Sequence, residues 1–383
     1  RLPEQISFAK LRASWAQVGN DTDPYKTAKY YNTSAFPGSA SVSPTLYNAR
    51  FKPEISNSIE VGLDWRMFKQ RFGLDLAFYN NITRNQILDV PMDQTTGYTK
   101  ATMNSGKVRN RGIELQLDGT PVKTKNFTWN STFTWAKNYN KVLSLAAGLT
   151  DGQTIAYTGG TNCALIAKVG GSIGDIYGKA FVRDASGNIV YETEGSNAGL
   201  PKIEGDGNTV KVGNSNPKFQ MGWNHTLSYK DISLYFLVDC RYGGKVLSQT
   251  QADMDLYGVS EVTAQARDEG YVMLEGHRID NVKGFYKIVG GRAGTTEYYM
   301  YDATNIRLRE LSLSYQLPAS WMEKSKVLKK VQLSFIARNL FFFYKKAPFD
   351  PDLVLSTGND NQGIDVYGMP TTRSWGFSLK CEF

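Results

Sequence analysis

Histidine and cysteine, the residues that most often build metal sites and nucleophilic centres, are scarce in this chain. It has 383 residues with two histidines, and its three cysteines, Cys163, Cys240 and Cys381, lie far apart without a CxxC pair. That pattern supports neither a metal site nor a disulfide framework. The sequence also lacks an HExxH motif, a phosphate-binding loop and a dinucleotide fingerprint. We therefore expect no enzymatic activity and no cofactor.

Long hydrophobic runs are missing as well. A membrane-spanning helix needs about 18 to 20 apolar residues, and the apolar run at 340–344 is far shorter. The chain opens at Arg1 without a charged and apolar leader, which predicts a processed product or a fragment. The net charge of +8 is spread over short basic groups. This scatter favours solvated turns over a nucleic-acid surface, so we expect no nucleic-acid partner.

One short motif matches a hydrolase signature by letter. Residues 170–174 read G-x-S-x-G, but a nucleophile elbow requires a strand-to-helix turn and a histidine partner. His225 shares a strand face with apolar residues, and His277 lies in a long loop. The motif is therefore interpreted as a loop segment, and no catalytic residue is predicted.

Aromatic residues, by contrast, are plentiful at 13% of the chain. Many of them belong to segments in which apolar side chains occupy every second position, as they do from 58 to 67. A period of two is typical of β-strands, whose side chains alternate between two faces. The same pattern predicts nine further strands, at about 8–18, 72–78, 113–117, 127–137, 219–229, 232–240, 311–317, 330–340 and 375–383.

The connections between these ten strands alternate strictly between short and long. Short links lie at about 68–71, 120–126, 229–231 and 318–329, and long ones at about 19–53, 80–105, 138–217, 243–304 and 344–371. In an antiparallel sheet this alternation places every long loop at one end, as in outer-membrane barrels. We therefore expect an all-β, antiparallel transmembrane β-barrel with long extracellular loops. A secreted all-β adhesin or lectin, whose apolar faces pack on each other, is the alternative.

The tryptophans agree with the barrel prediction. Six of the seven have the parity of the apolar strand face, and the seventh, Trp321, sits in a short link. Amphipathic rings prefer the depth of the membrane interface, so they are expected to form belts there. Filling the core of a sandwich is the alternative explanation.

The long loops carry the candidates for substrate contact. Aromatic rings stack on apolar sugar faces and on peptide side chains alike, and the candidates are Tyr257, Tyr298, Tyr299, Asp365 and Tyr367. Packing of the loops against one another is the alternative role. Oxygen-rich stretches at 350–352 and 359–365 make a structural Ca²⁺ conceivable, but the EF-hand spacing is missing and turn chemistry is the preferred interpretation.

Four segments carry a resemblance to a known family. They are DATNIRLRELSLSYQLP at 302–318, NSGKVRNRGIE at 104–114, GNSNPKF at 213–219, and RNL at 338–340 followed by FDP at 349–351. In this order they resemble the SusC/RagA family of TonB-dependent outer-membrane transporters. The final alternating strand, with Trp375, Phe377 and the terminal Phe383, resembles the signal that the barrel-assembly machinery reads.

The resemblance implies an integral protein of the outer membrane of a Gram-negative bacterium. Complete members have a plugged barrel of roughly 22 strands, so residues 1–383 are expected to be the last ten strands, the carboxy-terminal half of the barrel domain. The plug and the amino-terminal strands would be absent from this chain. The remaining barrel half, outer-membrane lipids and the barrel-assembly machinery are then implied partners.

The same resemblance implies a function. Family members work with a SusD-like surface lipoprotein, and the TonB complex powers them through the missing amino-terminal region. The expected function is TonB-dependent import of glycan oligosaccharides. Import of oligopeptides is the alternative within the family, and the sequence does not choose between these substrates.

Overall fold

A single antiparallel sheet of ten strands dominates the fold. The computed structural model describes residues 3–22, 24, 27–33, 36–104, 106–145, 153–157, 163–204, 210–322, 327–354 and 362–383. The strands are β1 (Ile6–Asn20), β2 (Glu54–Met67), β3 (Phe72–Arg84), β4 (Lys107–Lys123), β5 (Phe127–Ser144), β6 (Phe219–Tyr229), β7 (Ile232–Tyr242), β8 (Asn305–Gln316), β9 (Lys330–Lys345) and β10 (Ser374–Glu382). Each strand pairs with its neighbours in the chain, and β1 and β10 form the two edges. All ten predicted strands are confirmed.

The two faces of this sheet differ in chemistry. On one face, which we call the outer face, large apolar side chains are open to the surroundings: Trp15 is 68% exposed, Leu379 63% and Phe377 89%. The opposite inner face carries Arg12, Asp75 and further polar residues. A water-soluble protein rarely exposes so continuous an apolar surface, whereas the lipid-facing wall of a membrane barrel has this alternation.

The connections divide the sheet into two ends. The links 68–71, 124–126, 230–231 and 317–329 lie at what we call the short-turn end. The connections 21–53, 85–106, 145–218, 243–304 and 346–373 lie at the long-loop end. The predicted alternation of short and long connections is confirmed, because adjacent strands are antiparallel throughout.

The long loops have secondary structure of their own. Their helices are α1 (Gln249–Leu256), α2 (Glu261–Glu269) and α3 (Val282–Val289), while α4 (Ala319–Met322) lies at the short-turn end. Single-turn 3-10 helices lie at Gln94–Thr96, Gly195–Asn197 and Thr296–Tyr299. Ser248 and Ser260 cap α1 and α2 by accepting backbone N–H groups, as short polar residues do at helix starts. None of the helices in the ranges described is long and apolar enough to cross a membrane.

Short strands complete the loops and pair in small sheets. They are Tyr31–Thr33 with Ala40–Val42; Thr45–Leu46, Lys100–Asn104 and Ile87–Pro91; Gln153–Tyr157, Cys163–Ala167, Asp175–Gly178 and Val210–Asn214; Ala180–Phe181 with Ile203–Glu204; Met300–Asp302, Lys245–Ser248 and Ile364–Asp365; and Val272–Leu274 with His277–Ile279.

The largest buried apolar cluster lies in the long loops and not on the sheet. We call it the loop core, and its most buried members include Leu165, Ile176, Phe285, Val289, Tyr299 and Ile364. These residues come from three connections, 145–218, 243–304 and 346–373. Burial of their side chains removes apolar surface from water, so the three loops pack as one unit over the long-loop end.

Candidate functional site

The inner face of β1 to β5 is lined by ion pairs. Arg12 on β1 reaches across the sheet to Asp75 on β3, with 2.6 Å between the nitrogen and the nearer oxygen. Arg66 on β2 lies 3.0 Å from Asp118 on β4, and Thr132 on β5 donates to the same carboxylate at 2.9 Å. These side chains share the inward parity of their strands. The wall is therefore polar, and its arginines are already held by carboxylates.

A second group of charges lies on the inner face at the long-loop end. We call it the anchor cluster: Arg307 and Arg309 on β8, Asp239 on β7, and Asp350 and Asp352 in the last loop. Arg307 is 2% exposed and contacts all three carboxylates, with 3.1 Å to Asp239 and to Asp350 and a shorter contact to Asp352. Arg309 donates to Asp239 at 2.8 Å. The cluster ties the last long loop to the barrel wall.

The anchor cluster joins charged residues from two of the family-like segments, which gives these charges a structural role. Arg307 and Arg309 belong to 302–318, whereas Asp350 belongs to the FDP triplet, and only folding brings these segments together. Asp350 also accepts a hydrogen bond from Thr371 Oγ1 at 2.8 Å. Both ends of this loop are thus held by one carboxylate.

Arg241, at the end of β7, connects a third family-like segment to the same region. The Arg241 guanidinium donates to the backbone carbonyl of Ser215 at 2.6 Å and lies 3.5 Å from Asp352. Ser215 belongs to the GNSNPKF segment that leads into β6. The inner face at the long-loop end is therefore the place where several loops converge.

The segment 170–174 closes a turn beside this region. Asn216 Nδ2 donates to Ser172 Oγ at 2.7 Å, and the Ser172 hydroxyl lies 3.2 Å from Asn140 Oδ1. The histidines lie elsewhere: Trp129 Nε1 donates to His225 Nδ1 at 3.1 Å on the sheet, and His277 stacks on Tyr191. Ser172 thus has asparagine partners and no histidine partner, which agrees with the interpretation of 170–174 as a loop segment.

Three of the five predicted substrate residues lie within the packed loops. Tyr299 is 1% exposed and donates its hydroxyl to Asp255 at 3.0 Å. Burial, reinforced by the Asp255 carboxylate, raises the pKa of the Tyr299 phenol. Tyr298 packs edge-on against Phe285 with 5.3 Å between ring centroids, and Asp365 is buried and accepts from Ser248 Oγ at 2.7 Å. These contacts hold the loops together.

The other two candidates remain open to solvent. Tyr257, at the end of α1, is 78% exposed, and Tyr367 is 56% exposed. The Tyr367 backbone N–H donates to Thr250 Oγ1 at 2.8 Å, and its hydroxyl contacts Asp253. Alternation along the chain does not distinguish these two residues from the buried tyrosines, because loop burial depends on contacts between distant segments. Contact of any of the five residues with substrate stays a prediction.

The oxygen-rich stretches considered for Ca²⁺ have other contacts. Asp350 and Asp352 face Arg307, and Asp365 accepts hydrogen bonds as described above. Residues 359–361 of the second stretch lie outside the described residues. In the part of the chain that the structure describes, no group of three His, Cys, Asp or Glu side chains is placed to hold a metal ion.

The aromatic residues predicted as an assembly signal lie on the edge strand. Trp375 and Phe377 project from the outer face of β10 next to Phe335 of β9, with ring centroids 6.0 and 5.5 Å away. Phe383 follows the strand and is 70% exposed. Their position on the last strand of the sheet is shown, and their part in assembly stays a prediction.

Comparisons with known proteins agree with this architecture. A family model described as TonB dependent receptor-like, beta-barrel matches residues 3–161. Residues 3–161 are thus similar to the β-barrel of TonB-dependent receptors. The chain is 26% identical to the TonB-dependent receptor P3 of Formosa agariphila, over 99% of this chain and 40% of that protein. It is also 22% identical to the TonB-dependent receptor SusC of Bacteroides thetaiotaomicron, over 92% of this chain and 34% of that protein.

A solved structure has the same fold. The RagAB peptide importer in its closed-closed state matches with a TM-score of 0.73 at 18% identity, over 100% of this chain and 42% of that chain. The chain therefore spans about 40% of the length of the curated relatives it matches. These similarities indicate an integral outer-membrane location, in which the exposed apolar outer face would contact lipid. The secreted lectin considered from the sequence is therefore wrong.

Proposed function

We propose that the protein containing this chain imports oligosaccharides across the outer membrane in a TonB-dependent manner. The observation that carries the proposal is the inner face, which is polar but whose arginines are engaged by neighbouring carboxylates. Such a wall hydrates a neutral solute and offers it hydrogen bonds. It presents no unpaired arginine in the anchor cluster to a peptide carboxylate or an acidic sugar.

The loop core supports the second half of the proposal, a surface lipoprotein of the SusD type as partner. Three long loops pack into one body at the long-loop end, and this body leaves Tyr257 and Tyr367 exposed. A stable surface of this kind suits a lid that closes over substrate. Energy from the TonB complex would reach the barrel through a plug contributed by the rest of the protein.

Binding to the whole receptor, purified in detergent with its co-purifying partner, tests the substrate class. We expect neutral oligosaccharides to bind and defined oligopeptides of similar length not to bind. RagAB is a peptide importer, so oligopeptides are the competing class. Binding of peptides without binding of any oligosaccharide would overturn the proposal.

Variants of the exposed tyrosines sharpen the test. Loss of one aromatic stacking contact removes about 0.5 to 1.5 kcal/mol, so Tyr257→Ala or Tyr367→Ala should weaken oligosaccharide binding by about two- to tenfold. The matched variants Tyr257→Phe and Tyr367→Phe keep the ring and should bind nearly as well as the natural protein. Equal binding by all four variants would exclude these two tyrosines from the substrate site.

A further inference from the structure

A pocket on the inner face near the long-loop end is rich in carboxamide side chains, which six of its eleven lining residues carry. We call it the amide pocket, and its principal residues are Glu54, Gln86, Asn110, Asn138, Asn140 and Asn216. Its volume is 380 Å³. One water takes up about 30 Å³ in the liquid, and small-ligand sites span about 300 to 1,000 Å³. The pocket is therefore large enough for a ligand and not only for a bridging water.

Strand register places these side chains together. Asn140 on β5 lies directly opposite Asn110 on β4, and Asn138 lies opposite Gly112. All three asparagines have the inward parity of their strands. A Cβ at Gly112 would collide with the Tyr79 ring, so glycine here gives Tyr79 the room to donate its hydroxyl to Asn138 Oδ1 at 3.1 Å. The sheet itself therefore builds one wall of the pocket.

Hydrogen bonds fix the orientation of the amides. Asn110 Oδ1 accepts from Asn140 Nδ2 at 2.9 Å and from Asn138 Nδ2 at 3.3 Å. Asn140 Oδ1 in turn accepts the backbone N–H of Ile173 at 2.8 Å. Because side chains held in this way lose little further freedom on binding, the pocket is preorganised for a ligand.

One buried polar atom in the pocket has no partner. Among the described residues, Gln86 Oε1 is inaccessible to solvent and accepts no hydrogen bond. Most buried polar atoms in proteins are hydrogen-bonded, and an exception calls for an explanation. Because this oxygen is covered as it stands, a ligand hydroxyl in the pocket can satisfy it only when the Gln86 side chain turns toward the pocket.

The charge of the pocket restricts the ligand further. Within the described ranges, Glu54 is the one charged residue of its lining, and no lysine, arginine or aromatic side chain lines it. Glu54 already accepts the Ile87 N–H at 2.7 Å, which fixes its carboxylate at the rim. Its negative charge repels uronates and sulfated sugars, and no cation offsets it within the lining.

We propose that the amide pocket is a subsite for a neutral, hydroxyl-rich sugar unit. Each carboxamide can both donate and accept, and a sugar hydroxyl does the same, so the two match in hydrogen-bonding capacity. Without an aromatic platform, the subsite reads the edges of the sugar ring and not its face. This inference rests on the proposed function and adds the position and the charge preference of one binding site.

The test uses the whole receptor with its co-purifying partner and a panel of hexasaccharides. The neutral probes are α-1,4-glucan, β-1,4-glucan, β-1,4-xylan and β-1,4-mannan fragments, and the acidic probe is hexagalacturonate. The key variant is Gln86→Met, which keeps the length of the side chain and removes its carboxamide, including the unpaired oxygen Oε1. Loss of one hydrogen bond should weaken neutral binding by about three- to tenfold.

Two further variants make the test specific. Gln332→Met is the matched control, because Gln332 is equally half-buried on an inward position of β9 but lies at the short-turn end; it should bind like the natural protein. Glu54→Gln should improve binding of hexagalacturonate relative to neutral probes. Gln86→Met should fold normally. An unchanged melting temperature beside the loss of binding would document this.

The outcomes separate this inference from the function on which it rests. Neutral binding that is the same in Gln86→Met and in the natural protein would overturn the subsite but leave oligosaccharide import in place. Preferential binding of hexagalacturonate by the natural protein would also overturn it. Binding of peptides with no oligosaccharide bound would overturn both proposals.

Discussion

Arg307 is the residue whose loss should most disturb the long-loop end. It is 2% exposed and pairs with Asp239, Asp350 and Asp352, so Arg307→Met leaves the buried Asp350 and two half-buried carboxylates without this partner. Breaking a buried ion pair by removing one member costs about 3 to 5 kcal/mol. Arg309 still lies 2.8 Å from Asp239, so the lower end, about 3 kcal/mol, is expected. At about 1.4 kcal/mol per factor of ten, opening of the last loop becomes about 100-fold more frequent.

Amide hydrogen exchange in the whole receptor measures this opening directly, since protection reports local opening free energies. Protection in 349–354 and 362–373 should fall by about two orders of magnitude in Arg307→Met, while that of β2 to β5 stays unchanged. Arg307→Lys keeps the charge but loses the planar donor fork, so its protection should lie between that of the natural protein and that of Arg307→Met. The matched control is Arg338→Met: its side chain is 60% exposed and pairs with Glu310 at 3.4 Å. Such surface pairs contribute less than about 1 kcal/mol. Equal loss of protection in both methionine variants, or none in Arg307→Met, would refute the anchor role.

Three further predictions concern the loops. Arg183 bridges Glu275 at 2.8 Å and Glu297 at 2.9 Å, and its hydrogen bond lowers the pKa of Glu275 below the ordinary value of 4.5; a lowered carboxylate pKa stabilises above the unfolded-state value. In the natural protein, protection of the loops against amide exchange should therefore fall as the pH drops below 4.5. In Arg183→Met this protection should depend less on pH. Identical pH profiles of protection in the two proteins would contradict the role of Arg183. Tyr299→Phe removes a buried hydrogen bond to a carboxylate and should lower the stability of the loop core by about 1.5 to 3 kcal/mol, seen as faster exchange in α1 and α3; unchanged exchange would count against the Asp255 contact. Treatment with a calcium chelator should leave the melting temperature unchanged, and a clear decrease would restore the calcium hypothesis.

The sequence by itself determined the sheet. Alternation is a local property, because successive side chains of a strand point to opposite faces, so the ten strands and the outward tryptophans of β1 and β10 follow from spacing alone. Connection lengths then fixed which ends carry the long loops. Family-like segments added the expectation of a TonB-dependent receptor, which the comparisons with known proteins confirm.

Only the tertiary structure decided what the loops and the inner face do. Arg307 and Asp350 are 43 residues apart, and nothing local in the sequence predicts that they pair. Tyr299 and Tyr257 are alike as loop tyrosines, yet one is 1% exposed and the other 78%. The amide pocket likewise depends on the register that sets Asn140 opposite Asn110. Strand alternation requires only neighbouring residues, whereas burial, ion pairing and pocket lining depend on contacts between distant segments, and these exist only in the folded barrel wall and its loops.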